Sequence, residues 1–224
     1  ARIPEETQNK EIQKKAEIMQ KKLIYVFNKI DLVNKKLTQD IKEKYPNSFF
    51  TNSSKRQTLE PLMKYLSDLA ENRQKALRVA VLGYPNVGKS SMLNTLTKPR
   101  EKVSRVSGTT KKTKWIRVGN IRFMDAPGVI PRKDSRTKVA ITSSKDIYKT
   151  EDPERIAYNL VKKLRKTGSL QEKYKIKIDK TDSDYDIFLK IGNRKKLLIK
   201  GGEVDEDKLS RIIVSDWQKG RIKI

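Results

Sequence analysis

Residues 83–90 constrain the fold of this chain more than any other segment, because they read Gly-Tyr-Pro-Asn-Val-Gly-Lys-Ser. This G-x-x-x-x-G-K-[ST] pattern follows an apolar run, residues 77–82, that predicts a buried strand, and it precedes a predicted helix that begins at Lys89. The glycines let the backbone curl so that successive N–H groups converge, and the helix N-terminus adds its positive end. The segment therefore predicts a strand, a loop and a helix that together bind phosphate groups.

The side chains of this loop predict how a nucleotide is held. The Lys89 ammonium can neutralise the β and γ phosphates, and the Ser90 hydroxyl can ligate Mg²⁺. We expect the following residues to contact the nucleotide: Pro85, Asn86, Val87, Gly88, Lys89, Ser90 and Ser91.

A second motif, Asn28-Lys29-Ile30-Asp31, follows the predicted strand 23–27 and matches the N-K-x-D motif of GTPases. The Asp31 carboxylate can accept hydrogen bonds from both the N1–H and the exocyclic amine of guanine. Adenine has no donor at either position and would leave that carboxylate unpaired. We expect Asn28 to brace the loop, Lys29 to lie along the base, and the bound nucleotides to be GTP and GDP.

A third loop, residues 52–55, follows the predicted strand 48–51 and reads Asn-Ser-Ser-Lys. It resembles the S-A-K loop whose backbone N–H meets the guanine O6, with Ser54 in place of the usual Ala. Taken alone, it is equally consistent with a polar loop before the predicted helix 59–69. Beside the other motifs, it predicts that Asn52, Ser53 and Ser54 lie at the base.

Two further motifs concern the metal ion and the γ-phosphate. Residues 125–128, Asp-Ala-Pro-Gly, end the predicted strand 121–124 and match D-x-x-G, in which the Asp holds the Mg²⁺ shell and the Gly128 N–H senses the γ-phosphate. Upstream, Gly108-Thr109-Thr110 supplies a switch threonine, for which we favour Thr110 over Thr109. An ordinary Thr-rich turn is the alternative. The expected metal ligands are Ser90, Thr110 and Asp125.

The order of these motifs predicts the architecture. In ordinary GTPases the P-loop comes first and the N-K-x-D and S-A-K motifs come last, whereas here those two precede the P-loop. Strands that alternate with helices predict an α/β fold with a mostly parallel sheet. We therefore expect a circularly permuted P-loop GTPase domain over residues 1–135, incomplete at its N-terminus. A connector at 136–150 and a small, mainly helical RNA- or ribosome-binding domain at 151–224 follow.

Charge and composition limit the classes of partner and of chemistry. With 52 Lys and Arg against 27 Asp and Glu, the formal charge is +25, which predicts attraction to polyanions and to nucleic acid above all. No apolar run approaches the roughly 20 residues of a spanning helix, so we expect a soluble, cytoplasmic protein without a membrane partner. The sequence holds no Cys and no His, which excludes disulfides and Cys or His zinc sites.

Together the motifs resemble the circularly permuted ribosome-assembly GTPases, the YlqF/RbgA family with its archaeal and nucleolar relatives. Residues 1–4, Ala-Arg-Ile-Pro, resemble the D-A-R-x-P start of that fold without its Asp, and residues 202–222 resemble the C-terminal helix of the nucleolar members. The resemblance implies GTP hydrolysis coupled to maturation of the large ribosomal subunit. It also implies rRNA and the large-subunit precursor as partners, and we expect no DNA partner.

The position after D-x-x-G, usually a Gln that orients the attacking water, is Val129, whose aliphatic side chain cannot polarise water. The resemblance implies two other sources of catalysis, a K⁺ ion held partly by Asn86 and stimulation by the ribosomal particle. Asn86 as a purely loop-stabilising residue is the alternative. The expected catalytic residues are Lys89, Thr110, Gly128 and Asn86.

Two functions from different classes fit these features. One is a slow GTPase that acts on pre-ribosomal particles. The other is a nucleotide-gated RNA-binding module that scarcely hydrolyses, which suits Val129 and the many basic residues. A basic cluster around the switch motifs predicts RNA-backbone contacts. It comprises Lys98, Arg100, Lys102, Arg105, Lys111, Lys112, Lys114, Arg117, Arg122, Arg132, Lys133, Arg136 and Lys138.

Overall fold

A computed structural model describes residues 1–97, 114–126, 141–142 and 152–224 of the chain. The described residues divide into two compact units. One contains residues 1, 3–31, 35–97 and 114–126, and the other contains residues 2, 32–34, 141–142 and 152–224.

The first unit alternates strands and helices. Its elements are α1 (Lys10–Ile18), β1 (Tyr25–Asn28), a 3₁₀ turn (Ile30–Leu32), α2 (Lys35–Lys44), β2 (Ser48–Thr51), a 3₁₀ turn (Arg56–Leu59), α3 (Glu60–Ala70), β3 (Leu77–Val81), α4 (Lys89–Thr97), β4 (Lys114–Val118) and β5 (Ile121–Asp125). The strand expected at 23–27 begins two residues later, because Leu23 is exposed and takes no part in the strand pairing. The other predicted strands agree with the structure to within one residue.

The strands form two sheets among the described residues. Strands β1 and β2 pair in parallel, and a second sheet has the order β3-β5-β4, with β3 and β5 parallel and β4 antiparallel. The expected mostly parallel pairing is present, but in two sheets rather than one. Apolar runs identify strands, whereas the choice of neighbour depends on contacts between segments distant in sequence.

The core of the first unit lies between α3, α4 and the sheet strands. Leu59 and Leu93 are fully buried and Phe123 is almost so, with Leu62 and Leu66 of α3 beside them. Each fully buried large side chain of this kind contributes about 1.5–3 kcal/mol to folding. This packing fixes the N-terminus of α4, and with it the loop 83–88, against the ends of the strands.

The second unit is a helical bundle. Its elements are α5 (Pro153–Leu164), α6 (Ser169–Tyr174), α7 (Asp184–Arg194) and α8 (Glu206–Gln218). Helix α5 begins where Asp152-Pro153 predicts, since the Asp152 side chain accepts a hydrogen bond from the Arg155 N–H. It ends at Leu164, and Gly168 immediately precedes α6. Helices α5, α7 and α8 enclose the core: Leu160, Leu164, Ile187, Phe188, Ile191, Leu209, Ile213 and Trp217.

In the part of the chain that the structure describes, no helix has the length and apolar character needed to cross a membrane.

Candidate functional site

Three loops meet at the carboxyl ends of β1, β2 and β3, and the side chain of Asn28 joins them. Its Nδ2 donates to the carbonyl of Val87 over 2.9 Å. Its Oδ1 accepts from the backbone N–H of Ser53 at 3.1 Å and from the Thr51 hydroxyl at 3.2 Å. The motif expected to bind the base is therefore held directly against the motif expected to bind phosphate.

The Lys89 side chain folds back over the loop that precedes it. Its Nζ donates to the carbonyl of Gly83 at 3.0 Å and to that of Tyr84 at 2.8 Å. Burial lowers the pKa of Lys89, while the nearby Asp125 carboxylate opposes that shift. Among the described residues the hydrogen-bond acceptors of this ammonium group are neutral carbonyls, and a partly desolvated ammonium group with such acceptors favours an incoming anion.

The loop itself adopts left-handed backbone at two positions. Asn86 has a φ of 59° and Gly88 a φ of 100°. A Cβ at Gly88 would collide with Nδ2 of Asn28, so only glycine allows this approach. Lys29, itself at a φ of 60°, donates through Nζ to the Asn86 carbonyl at 2.9 Å.

The loop after β2 is ordered by its own side chains. Asn52 Oδ1 accepts from the Ser54 N–H at 2.9 Å, and the Thr58 hydroxyl accepts from the Asn52 N–H at 2.8 Å. The Ser53 hydroxyl donates to the Gly88 carbonyl at 3.5 Å. Ser54 itself is exposed.

Oxygen atoms of the metal motif lie together at the start of α4. The Ser90 hydroxyl donates to Asp125 Oδ2 over 3.0 Å, so a hydroxyl from the P-loop helix meets a carboxylate from the end of β5. Hard oxygen donors of this kind suit Mg²⁺. No group of three or more His, Cys, Asp or Glu side chains with metal-binding geometry occurs among the described residues.

The remaining predicted site residues are either exposed or outside the described residues. Asp31, in the 3₁₀ turn after β1, has an exposed side chain, as has Ser91 in the first turn of α4. Thr110 and Gly128 fall outside the described residues. Most of the basic cluster does as well; Arg117 and Arg122 are described, and Arg117 Nε donates to the Gly119 carbonyl at 3.1 Å.

Thr95 and Tyr84 are site-supporting residues that sequence reasoning missed. The Thr95 hydroxyl, on α4, lies 2.5 Å from the Ser53 carbonyl and 3.0 Å from the Ser91 carbonyl, so it links the phosphate helix to the loop after β2. Tyr84, the second residue of the P-loop, is fully buried. The sequence contains a signal for the role of Thr95. It lies six residues after Lys89 and four after Ser91, so it shares a helix face with Ser91.

Comparison with known proteins identifies the family of this chain. A family model described as 50S ribosome-binding GTPase matches residues 78–193. A GTP-binding protein of Methanocaldococcus jannaschii, itself described as uncharacterized, is 36% identical over 226 residues, covering 99% of this chain and 60% of that protein. Nucleolar GTP-binding protein 2 of Saccharomyces cerevisiae is 32% identical, covering 99% of this chain and 48% of that protein. The chain thus spans about half to three fifths of the length of these relatives.

Two solved structures share the fold. The GDP-bound structure of TM YlqF superposes with a TM-score of 0.67 at 22% identity, covering 98% of this chain and 87% of that one. The GNP-bound YlqF from T. maritima gives a TM-score of 0.64 at 22% identity, covering 98% and 85%. The predicted P-loop GTPase fold is confirmed. Because the family model spans just over half of the sequence, the chain belongs to the 50S ribosome-binding GTPase family, in the circularly permuted form that YlqF has.

Proposed function

We propose that this protein binds GTP, hydrolyses it to GDP and phosphate, and couples that reaction to assembly of the large ribosomal subunit through rRNA. The observation that carries the proposal is the position of Asn28, whose amide bonds at once to the P-loop carbonyl of Val87 and to the N–H of Ser53. That contact brings base recognition and phosphate recognition into one site.

Selection of guanine rests on Asp31 and on the loop after β2. The exposed Asp31 carboxylate is available to accept the N1–H and the exocyclic amine of the base. The loop after β2 would meet the guanine O6 through a backbone N–H of Ser53 or Ser54, which would exchange its side-chain acceptor, Asn28 Oδ1 or Asn52 Oδ1, for the base. Adenine would leave the Asp31 carboxylate without a donor, at a cost of about 1–3 kcal/mol where the bound base covers it.

Phosphate binding rests on the hydrogen-bond partners of the Lys89 ammonium group and on the N-terminus of α4. Exchange of the carbonyl partners at Gly83 and Tyr84 for a β or γ phosphate oxygen replaces neutral acceptors with charged ones. The ammonium–phosphate contact adds an attraction between opposite charges that an ammonium–carbonyl hydrogen bond lacks. The backbone N–H groups of residues 85–91 complete the phosphate site.

Ser90 and Asp125 fit a Mg²⁺ ion, and Thr110 is the proposed third ligand. Bound there, the ion would neutralise charge on the β and γ phosphates. Ser90 would supply its hydroxyl oxygen directly, and Asp125, now 3.0 Å from that hydroxyl, would orient it or the ion's water shell.

Hydrolysis is the part of the proposal that needs help from outside the site, because Val129 cannot orient water. We propose that the Gly128 N–H and Thr110 contact the γ-phosphate and that Asn86, whose backbone is already in the left-handed region, contributes to a K⁺ site. Ribosomal particles in the cytoplasm are the proposed activator, and the basic residues of the protein are proposed to bind them.

A nucleotide-gated RNA-binding module with little hydrolysis is the second candidate. It is favoured by Val129 together with the net charge of +25. In that case GTP and GDP would change RNA affinity, and phosphate release would stay slow under all conditions.

The test is GTP hydrolysis in K⁺ against Na⁺ buffer, with and without large ribosomal subunits, with ATP as the competing nucleotide. We expect stimulation by both K⁺ and the subunits, no competition by ATP, and loss of turnover in Lys89→Ala. Lys64→Ala, which removes an exposed lysine of α3, is the matched control and should behave as the unaltered protein. Tight GTP binding without turnover in every buffer would favour the gated module, and absence of guanine-nucleotide binding would refute both functions.

A further inference from the structure

A short β-hairpin separates α7 from α8 in the second unit. Leu198 and Val204 form an antiparallel bridge, and Asp205 N–H donates to the Leu197 carbonyl at 2.9 Å. Nearer the tip, the Ile199 N–H donates to the Glu203 carbonyl, also at 2.9 Å. Residues 197–205 are therefore an ordered projection.

The stem of the hairpin is anchored and its tip is narrow. Val204 packs so closely on α7 that a Cβ at Gly192 would collide with it. The turn uses Gly201 at a φ of 111° and Gly202 at a φ of 86°, and a Cβ at either would meet nothing within 4 Å. A rigid stem with a slender, open tip can enter a groove of a partner without rearrangement.

The hairpin and the helix end before it carry unpaired positive charge. Arg194, Lys195, Lys196 and Lys200 are exposed, and Glu203 is the one acidic residue between 194 and 204. Within the described residues, none of these four cations makes an ion pair, whereas other basic groups of the second unit do, for example Arg165 with Asp184 at 2.8 Å. Ion pairs within the described part of the chain therefore do not account for this charge.

Two apolar side chains stand beside these cations. Leu198 is 48% exposed and Ile199 is 49% exposed, although neighbouring residues on a strand point to opposite faces. Two exposed aliphatic side chains are too few to insert a protein into a bilayer, but they can pack on ribose and base surfaces. Four cations against one carboxylate favour a polyphosphate partner over a neutral protein surface.

We infer that residues 194–204, here called the basic hairpin, form an RNA-binding element that contacts backbone phosphates through its four cations and nucleoside surfaces through Leu198 and Ile199. The inference rests on the proposed rRNA function and assigns part of that function to a defined surface. Every residue of the basic hairpin belongs to the second unit, whereas the P-loop belongs to the first, so GDP affinity is a separate readout for variants of the hairpin.

The test measures binding of the full chain to a fluorescein-labelled RNA stem-loop across a range of KCl concentrations. In the first variant Arg194, Lys195, Lys196 and Lys200 are all replaced by Gln. The slope of log K against log[KCl] should become shallower by about 2.8–3.6, since each of the four lost phosphate contacts removes about 0.7–0.9. Affinity at about 0.1 M KCl should fall at least about tenfold.

A matched control replaces four exposed lysines elsewhere in the second unit by Gln: Lys162, Lys166, Lys180 and Lys208. It removes the same charge, so an equal loss in slope and affinity would show a diffuse electrostatic effect and overturn the inference. A second variant, Leu198→Ser with Ile199→Ser, should weaken binding while leaving the salt slope unchanged. GDP affinity should be unchanged in every variant, and thermal unfolding should shift by no more than the loss of the Lys195 contact with the Tyr174 ring, which lies 5.6 Å from the ammonium.

The remaining outcomes separate this inference from the proposed function. If the unaltered chain binds RNA and the basic-hairpin variant binds equally well, the inference is wrong and the rRNA function stands. If the unaltered chain binds no RNA, both fail, while GTP hydrolysis is judged by its own assay. Binding of phosphatidylserine vesicles or of poly-glutamate as tightly as RNA, lost in the same variant, would also overturn the assignment to RNA.

Discussion

Asn28 Nδ2 donates to the Val87 carbonyl across 2.9 Å, although the two residues are 59 positions apart in the chain. The oxygen of the same amide, Oδ1, accepts from the Ser53 N–H and from the Thr51 hydroxyl. A single side chain therefore holds three loop segments in place. These loop segments are distant in sequence and meet only in the folded structure. Asn28 is therefore the first residue to substitute.

Asn28→Ala should destabilise the first unit by about 2–3 kcal/mol, because three hydrogen bonds are lost and partly buried partners remain unpaired. Affinity for GDP should fall more than about tenfold, as measured by fluorescent GDP titration. Asn28→Asp keeps both acceptor contacts and loses only the donor to Val87. Its affinity for GDP should therefore lie between those of the unaltered protein and Asn28→Ala. Asn94→Ala on the exposed side of α4 is the control, and an equal effect there would remove the special role of Asn28.

Thr95→Val should weaken GDP binding about fivefold, a loss of about 1 kcal/mol, since the hydroxyl no longer holds the Ser53 carbonyl. Binding of pyrophosphate, which has no base, should be unaffected because the P-loop itself is unchanged. Thr95→Ser retains the hydroxyl and should restore most of the affinity. A parallel loss for GDP and pyrophosphate would instead indicate general damage to α4.

Gly88→Ala should abolish measurable nucleotide binding, because the new methyl group would occupy the space of Asn28 Nδ2 and the backbone at a φ of 100° is strained for alanine. Gly119→Ala separates the two causes. Gly119 has a φ of 55° with nothing within 4 Å of an added Cβ, so that variant carries strain without a clash. It should lose about 1 kcal/mol of stability and keep its affinity for GDP.

Local sequence patterns predicted most of what surrounds the P-loop. The strand before Gly83 and the helix from Lys89 follow from apolar spacing and glycine placement, and both occur at the expected positions. The capped start of α5 at Asp152 was equally accessible, since a side chain that caps a helix acts within three residues.

Long-range contacts were not predictable in the same way. The division of the strands into two sheets and the bond from Thr95 to Ser53 both join segments far apart in sequence. The orientation of Lys89 towards its own loop carbonyls also depends on burial, which no motif encodes. Motifs specify which groups a site holds, while packing decides which partners those groups have.

The second unit contains a buried tyrosine whose ionisation should set its stability in alkali. The Tyr174 hydroxyl, almost fully buried at the end of α6, donates to Asp216 Oδ2 at 3.3 Å. Lys173 and Arg221 also face this carboxylate, at 3.8 Å and 3.1 Å, and the Lys195 ammonium lies 5.6 Å from the tyrosine ring centre. Burial first, and then the Asp216 charge and hydrogen bond, raise the pKa of Tyr174 well above its ordinary value of 10.0.

The direction of the pH effect follows from proton binding in the two states. Below pH 10 both the folded and the unfolded chain keep the phenol proton, and Tyr174 adds no pH dependence. Above pH 10 the unfolded chain releases that proton while the folded chain retains it, so the free energy of unfolding should fall by about 1.4 kcal/mol per pH unit. Tyr174→Phe cannot ionise and should lack this part of the slope.

The unaltered protein and Tyr174→Phe can be compared by urea unfolding between pH 8 and pH 11. The fluorescence of the buried Trp217 reports unfolding of the second unit. The measured quantity is the difference in the free energy of unfolding between the two proteins. The slope of the unaltered protein also contains the titration of its lysines, which the Phe variant shares, so the comparison isolates the tyrosine. At pH 8 Tyr174→Phe should be about 1 kcal/mol less stable, because the bond to Asp216 is lost. The two curves should converge above pH 10; parallel curves would mean that Tyr174 ionises in the folded protein as readily as in the unfolded one.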